Sequence, residues 1–366
     1  MKVQLGRNEL LTALQAVIGV VERRQTLPVL ANLLIEARED ELIVTGTDLE
    51  MELVASARVQ NLAPGRVTVP ARKLYDICRG LPEGAEVVIE TAEDRATLRS
   101  GRSRFALATM KAEEFPTMGD VQEGEELRCE RVQLKRLLER TLFAMAQQDV
   151  RYYLNGLLLD VTPARVRAVA TDGHRLALAE LALETGVAAP QQVILPRKSV
   201  LELNRLLDGS SEDVVLKLAP GIVRADVDVV RLTTKTIDGR FPDYERVIPA
   251  HGDKHVEAGR EALRKALART AILSNEKFRG VRLQLDGETL RMQTHNPEHE
   301  EAEEELEVRY GGPALEIGFN VNYLLDALGV MDSDTIVLEL NNSEQSGLIH
   351  QLDDRSCKYV VMPMRL

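Results

Sequence analysis

Between Val132 and Ala146 the apolar residues Leu134, Leu137, Leu138 and Leu142 recur at spacings of three and four. That spacing puts them on one stripe of an α-helix. The same period runs through ELLTALQAVIGVV (9–21) and REALRKALARTAIL (260–273). It runs also through RKLYDICRGL (72–81), RKSVLELNRLL (197–207) and NVNYLLDALG (320–329). Between these stretches the period drops to two: LLIEA, LIVTGTD, LEMELVA, EVVIET, ATLRSGR and RFALATM alternate apolar and polar residues, as half-buried strands do. The pattern predicts helices in windows 7–24, 71–79, 131–148, 197–207, 259–270 and 320–328, each followed by strands. Six helix-then-strand units imply an α+β fold with mostly antiparallel sheets.

The residues repeat along with the pattern. Thr47, Thr171 and Thr294 are spaced by 124 and 123 positions. Asn32 and Asn155 are spaced by 123, and Arg279-Gly280 follows 124 further on. Pro70 in TVPARKLYDI matches Pro196 in ILPRKSVLEL, with IGFNVNYLLDAL from Ile317 as the third copy. Phe115-Pro116, Phe241-Pro242 and Met362-Pro363 close the series. The chain therefore reads as three copies of a unit of about 122 residues, spanning 1–122, 123–248 and 249–366, with boundaries in GDVQEGEE and IPAHGDK.

The repeat changes how the most chemical-looking stretch is read. ATDGHRLALA (170–179) gathers an Asp, a His and an Arg, and resembles a catalytic cluster. Its counterparts are GTDLEMELVA (46–55), which keeps the Thr and Asp without the His or Arg, and QTHNPEHEEA (293–302), which keeps only the Thr. A turn supported by Thr and Asp side chains fits that variation better than catalysis does. Asp48, Glu50 and Glu52 alternate as two-metal carboxylates would. The second copy has Asp172, His174 and Leu176 there, so an exposed strand face is expected. His295 and His299 lie four apart, but Pro297 interrupts them and there is no HExxH, so no metal site is expected. Neither GxxxxGK[ST] nor GxGxxG occurs. No cofactor and no catalytic residue is assigned.

Composition narrows the class. The chain has 366 residues, 44% hydrophobic and 28% charged, with no Trp. That is a soluble globular balance with room for two or three cores. No apolar run approaches the roughly 20 residues of a membrane span, and MKVQLGRNELL lacks the apolar centre of a secretory leader. Three cysteines in no CxxC arrangement fit a reducing cytoplasm. A net charge of −12 argues against nucleic acid until the charge is located. The six helix windows hold 17 of the 46 Lys and Arg and only 7 of the 58 Asp and Glu. Basic helices on an acidic scaffold suit sequence-independent contact with phosphates. EHEEAEEELE (298–307) has a basic counterpart in EDRATLRSGRSRF, which carries Arg95, Arg99, Arg102 and Arg104.

Read from these features alone, a catalytic polymerase or nuclease subunit and a scaffold that never touches DNA stand as alternatives. The longer motifs decide between them. TLPVLANLL, GTDLEME, ICRGLPEG, QQDVRYYLNG, ATDGHRLALA, DGRFPDYERV, LSNEKFRGVRL and YVVMPMRL resemble the bacterial DNA polymerase III β-subunit family, the sliding clamps, over the whole chain. The resemblance implies a head-to-tail homodimer whose six domains form a ring around duplex DNA, helices inward and sheets outward. It implies a processivity factor without catalysis, which tethers the polymerase catalytic subunit, the clamp loader and other replication and repair proteins. DNA-facing residues would be Arg24, Gln148, Arg151 and Tyr153, with Arg72, Lys73, Arg197 and Lys198 as lining charges. A partner-peptide pocket would use Leu154, Thr171, Gly173, His174, Arg175, Leu176, Pro242, Arg246, Val247, Val360 and Met362, with Asn320, Tyr323, Pro363, Met364 and Arg365 beside it. The ring would close through Lys73, Arg95, Arg102, Arg104, Phe105 and Leu107 against Ile272, Leu273, Glu298, Glu300, Glu301 and Glu304. Two departures stand out. NVNYLLDALG has no Lys or Arg, and Glu245 beside Arg246 leaves the pocket's charge open.

Overall fold

The computed structural model describes residues 1–22, 27–121, 123–209, 213–250 and 252–365. Six α-helices form among them: α1 (Arg7–Val17), α2 (Ala71–Gly80), α3 (Arg131–Glu139), α4 (Arg197–Leu206), α5 (Arg260–Thr270) and α6 (Val321–Gly329). None is long and apolar enough to cross a membrane. The expected stripes are buried: Leu10, Leu14 and Val17 on α1, and Leu134, Leu137 and Leu138 on α3.

Two windows were too long. α1 ends at Val17, and Ile18–Val20 tightens into a 3-10 turn. β-branched residues around Gly19 lower helix propensity there. α3 ends at Glu139, and the Thr141 hydroxyl donates to the carbonyls of Leu137 (3.0 Å) and Leu138 (3.2 Å). Such back-bonding competes with continued helix. The reading also missed a short strand before every helix: Lys2–Gly6, Gly65–Pro70, Glu125–Glu130, Gln191–Pro196, Lys254–Gly259 and Leu315–Asn320. Each runs into its helix with no turn between, so the period of two has no boundary to show it.

The first helix of each copy begins with an arginine that caps the second. Arg7 donates to the carbonyls of Cys78 and Arg79 at the end of α2 (3.1 and 3.0 Å). Arg131 donates to Leu206, Leu207 and Asp208 at the end of α4, and pairs with Asp228 at 2.6 Å. Arg260 reaches Leu328 and Ser333 at the end of α6 (3.3 and 3.0 Å). A guanidinium there satisfies orphan carbonyls at the negative end of the helix dipole. Three of the basic residues counted toward a phosphate-facing surface are therefore structural. Arg131→Ala should lower stability by about 3 kcal/mol, since it strands buried carbonyls and a carboxylate. A urea midpoint within error of wild type would reject this role.

The chain forms two compact units, Met1–Val132 with Leu201–Thr236, and Gln133–Val200 with Ile237–Leu366. Unit 1 has a five-stranded sheet, edged by Gln60–Ala63 and Ser103–Ala108, and an eight-stranded one. Unit 2 has a four-stranded sheet, edged by Glu301–Glu307 and Leu315–Asn320, and an eight-stranded one. Every pairing is antiparallel. Each eight-stranded sheet joins strands of two successive copies. In unit 1 the seam is Met51–Arg58 against Val230–Lys235. In unit 2 it is Arg175–Ala182 against Cys357–Val361. Compactness thus groups the chain across the repeat.

Candidate functional site

The Thr-Asp stretches form turns. Thr47 Oγ1 donates to the Met51 carbonyl (2.9 Å), and Asp48 Oδ1 accepts from the N–H groups of Glu50 (3.0 Å) and Met51 (2.7 Å). In the second copy Thr171 Oγ1 donates to the Arg175 carbonyl (2.6 Å), and Asp172 Oδ1 accepts from His174 (2.9 Å) and Arg175 (3.0 Å). The third copy enlarges the loop, and Asn296 Oδ1 accepts from Glu300 N–H (2.9 Å). The supposed metal carboxylates are committed separately: Asp48 to this turn, Glu50 to Lys235 (3.1 Å) and Glu52 to the Met118 N–H (3.0 Å). The turn needs a left-handed residue, which is Leu49 (φ 78°) in copy one and Gly173 (φ 88°) in copy two. A Cβ at Gly173 would lie 2.7 Å from Arg151 Nη2, the mobile end of a side chain, so it is the positive φ that favours glycine there.

Beside the Gly173 turn, within unit 2, lies an apolar groove of about 170 Å³. Buried Leu154, Leu176 and Val360 make its floor, and exposed Pro242, Val247 and Met362 its walls. Thr171, Gly173, His174 and Arg175 complete the ten residues that the resemblance assigned and the structure brings together. His174 is exposed, and its carbonyl accepts the Met362 N–H at 2.9 Å, which fixes the wall. Arg175 is held by Asp172 (3.1 Å), Asp326 (2.5 Å) and the Phe143 carbonyl (2.9 Å), and lies 4.5 Å from the Tyr323 ring centre. A cation so fixed offers its remaining surface at the rim without losing rotamer freedom on binding. In α6, the helix without Lys or Arg, Asp326 and Tyr323 both serve Arg175.

Tyr244 also lines the groove and escaped the sequence reading. Its hydroxyl donates to buried Asp160 (2.6 Å) and accepts from Arg167 (3.3 Å), and burial with the Asp160 bond pushes its pKa up to about 12. Arg167 also binds Glu245 at 2.8 Å. Glu245 is thereby paired away from the groove. Arg246 is 86% exposed and paired with Asp243 (2.8 Å), so it does not line the groove as expected. Asn320 caps α6 by accepting from Asn322 N–H (2.9 Å), and Pro363, Met364 and Arg365 continue past the groove. Met364 and Arg365 also border a larger groove of about 840 Å³, with Phe278, His295 and Glu301. That space is wide and lined by polar and apolar groups together, whereas the small groove has the apolar floor that anchors a side chain.

The expected DNA-facing residues are mixed in setting. Arg24 lies outside the described residues. Lys73 and Gln148 are exposed, and Gln148 sits in a turn at φ 56°. Arg72 donates to the Val21 carbonyl (2.8 Å), and half-buried Arg197 donates to Met145 (3.1 Å), so both anchor the chain end leaving the copy's first helix. Lys198 is half-buried. Arg151 is bonded to both oxygens of Asp149 and to the Asp172 carbonyl, and with Tyr153 it lines the apolar groove. Their placement fits support of the groove at least as well as contact with phosphates.

The remaining residues lie on or near two sheet edges that have no strand partner among the described residues. Strand Ser103–Ala108 presents exposed Arg104 and half-buried Phe105, with Arg95 and Arg102 exposed nearby. Arg99 and Arg104 are register partners, two like charges side by side. Leu107 is buried inside its own unit and offers no free surface, contrary to expectation. Strand Glu301–Glu307 is the acidic edge. Ile272, 74% exposed, and half-buried Leu273 lie in the 3-10 turn after α5. Glu298 and Glu301 are exposed, Glu300 accepts from the Asn296 amide (2.7 Å), and Glu304 is bound at both oxygens by Arg269 (2.6 and 2.8 Å). Glu304 is therefore already paired within its own chain.

With this geometry in hand, the chain compares with known proteins over its whole length. Family models described as the DNA polymerase III beta subunit N-terminal, central and C-terminal domains match residues 1–119, 128–243 and 245–365. The chain is 53% identical to the beta sliding clamp of Pseudomonas putida over 366 residues, covering 99% of each. It is 50% identical to the beta sliding clamp of Escherichia coli K12 over 368 residues, covering 100% of each. It superposes on the crystal structure of the DNA polymerase III subunit beta from Pseudomonas aeruginosa with a TM-score of 0.97, at 50% identity and full coverage of both chains. The Pseudomonas aeruginosa sliding clamp bound to griselimycin gives 0.96, at the same identity and coverage.

Proposed function

The chain belongs to the bacterial DNA polymerase III beta-subunit family, the sliding clamps, and from that premise we propose that two copies close head to tail into a ring that slides on duplex DNA and tethers its partners by a short peptide. As a clamp it is a processivity factor in DNA replication, a partner of DNA and polymerase, and not a catalyst. The proposal concerns how this chain does it.

One observation carries the ring: the chain ends two of its sheets in unpaired edges of opposite charge, Arg-rich Ser103–Ala108 and Glu-rich Glu301–Glu307. Unpaired edges recruit strands. An acidic edge repels its own copy and accepts the basic one, so the contact is heterologous; such a contact makes a ring when its rotation closes, and the proposed closure is at two subunits. Three domains per chain, with boundaries near 122 and 248, then give six around the hole. Topology rather than affinity holds the DNA, because non-specific phosphate contact alone gives a Kd of about 10⁻⁴ to 10⁻⁶ M. Clamp loaded by its loader onto closed circular DNA should stay through a gel-filtration column in high salt and leave when the circle is cut. Retention on linear DNA, or loss from the circle in salt, contradicts encirclement.

Within the ring, weak phosphate contact is assigned to Arg24, Gln148, Lys73 and the lining charges Arg72, Arg197 and Lys198, with Arg151 and Tyr153 at the groove margin. Arg24→Glu combined with Gln148→Glu should impair loading and sliding and leave the fold intact. Each phosphate contact removed should lower the salt slope of DNA binding by about 0.9. Wild-type processivity and slope in the double variant would withdraw the assignment.

The groove around Leu176 and Met362 is the proposed peptide site, with Asn320, Tyr323, Pro363, Met364 and Arg365 extending it along the tail. The expected ligand is extended, with Gln near its start and Leu or Phe near its end. An apolar floor takes the large side chains, and fixed Arg175 with exposed His174 meets backbone carbonyls at the rim. Met362 suits a surface used by many ligands, because a flexible thioether repacks around different shapes.

A further inference from the structure

The seam that builds the peptide groove in unit 2 occurs a second time. In unit 2 Leu176 is register partner of both Thr171 and Val360, and Met362 N–H bonds the His174 carbonyl at 2.9 Å. In unit 1 Glu52 is register partner of both Thr47 and Thr233, and Lys235 N–H bonds the Glu50 carbonyl at 2.9 Å. Position by position, Glu52 stands for Leu176, Thr233 for Val360, Lys235 for Met362 and Glu50 for His174. Leu30 stands for Leu154, and both are buried. Pro116, Met118 and Val121 stand for Pro242, Tyr244 and Val247. The backbone frame of a peptide groove is therefore present in unit 1.

What differs is its filling. Glu52 is 6% exposed, and its Oε2 accepts the Met118 N–H at 3.0 Å, so the side chain bridges from the sheet to the segment that should form the opposite wall. Val121 on that segment is buried, while Val247 in unit 2 is 40% exposed. Above the bridge, Lys235 Nζ binds Glu50 Oε1 at 3.1 Å, where unit 2 has the open apolar Met362 beside His174. A leucine at position 52 could not hold Met118, and a methionine at 235 could not pair with Glu50.

We propose that unit 1 contains a second, closed copy of the partner-peptide groove, and that Glu52 is the residue that keeps it closed, with the Glu50–Lys235 pair sealing its mouth. Each chain then offers partners one site and each ring two, although the repeat supplies twice as many frames. Glu52 is a specificity-determining residue by exclusion: a buried carboxylate rejects the apolar side chains that Leu176 accepts. This inference rests on the peptide reading of the unit 2 groove.

The test uses full-length protein and a version lacking Met362 to Leu366, with the pentapeptide Gln-Leu-Ser-Leu-Phe as probe in calorimetric titration. Wild type should bind one peptide per chain, and the truncated protein none. E52L/K235M in the full chain should raise the count from one to two, and in the truncated background should restore it from none to one. E52Q, which retains an oxygen to accept the Met118 N–H, should stay closed in both. Two sites on wild type, or an unchanged count for E52L/K235M with native circular dichroism, would overturn the inference. No binding to wild type at all would instead remove the unit 2 site on which it rests.

Discussion

Replacing Ile272 and Leu273 together by alanine should leave the protein monomeric at micromolar concentration. Ile272 is 74% exposed in the free chain, next to an acidic sheet edge that ends unpaired. Half-buried Phe105 lies on the basic edge proposed to meet it. Burying an Ile or Leu side chain contributes about 1.5–3 kcal/mol, so the pair accounts for about 3–6 kcal/mol. At 1.4 kcal/mol per tenfold, that is roughly two to four orders of magnitude in Kd. The rim offers less. Exposed ion pairs contribute about 0–1 kcal/mol each, and Glu304 is already taken by Arg269 of its own chain. Salt should therefore weaken the dimer without dissolving it, since energy concentrates at the buried centre of an interface. Sedimentation velocity at several salt concentrations measures both effects. A double variant that stays dimeric in low salt and falls apart in high salt would reverse the ranking and put the charged rim first.

Deleting Met362 to Leu366 should abolish binding of the polymerase, the loader and a clamp-binding peptide, while dimerisation survives. The cut falls just after Val361, so Val360 and Val361 stay in the sheet opposite Leu176 and Arg175 and the fold is kept. What goes is the exposed Met362 wall, with the bonds from Met362 N–H to His174 and from Met364 N–H to Gly318 (both 2.9 Å). The groove floor would open to solvent on that side. Losing one apolar wall and its ordered backbone should weaken peptide binding by about 3 kcal/mol, at least a hundredfold. The proposed ring edges lie elsewhere in the sequence, so the sedimentation profile should not change. Equal peptide affinity for both proteins would take the pocket away from this location. A monomeric truncation would show instead that the tail supports the edge strands.

The sequence by itself determined whatever is local or repeated. Helix stripes such as Leu134, Leu137 and Leu138 are legible because burial of one face imposes a period of 3.6 on neighbouring residues. The Thr-Asp turns are legible because side chain and backbone within five residues satisfy each other, and the repeat showed that they were not catalytic. Through its motifs the sequence also gathered ten of the residues lining the groove. Only the tertiary structure decided which distant residues complete those local pieces. The seams pair Met51–Arg58 with Val230–Lys235 and Arg175–Ala182 with Cys357–Val361, and no period reports a pairing across some 180 positions. The capping arginines look like surface charge until the helix end each one serves is in place. Tyr244 lines the groove with its hydroxyl held by Asp160 and Arg167, residues some 80 positions away. Glu52 and Leu176 occupy the same position of the repeat, yet one bridges a wall and the other lines an opening. Desolvation drives that difference: a buried carboxylate must find a donor, and the Met118 N–H on the opposite wall supplies it.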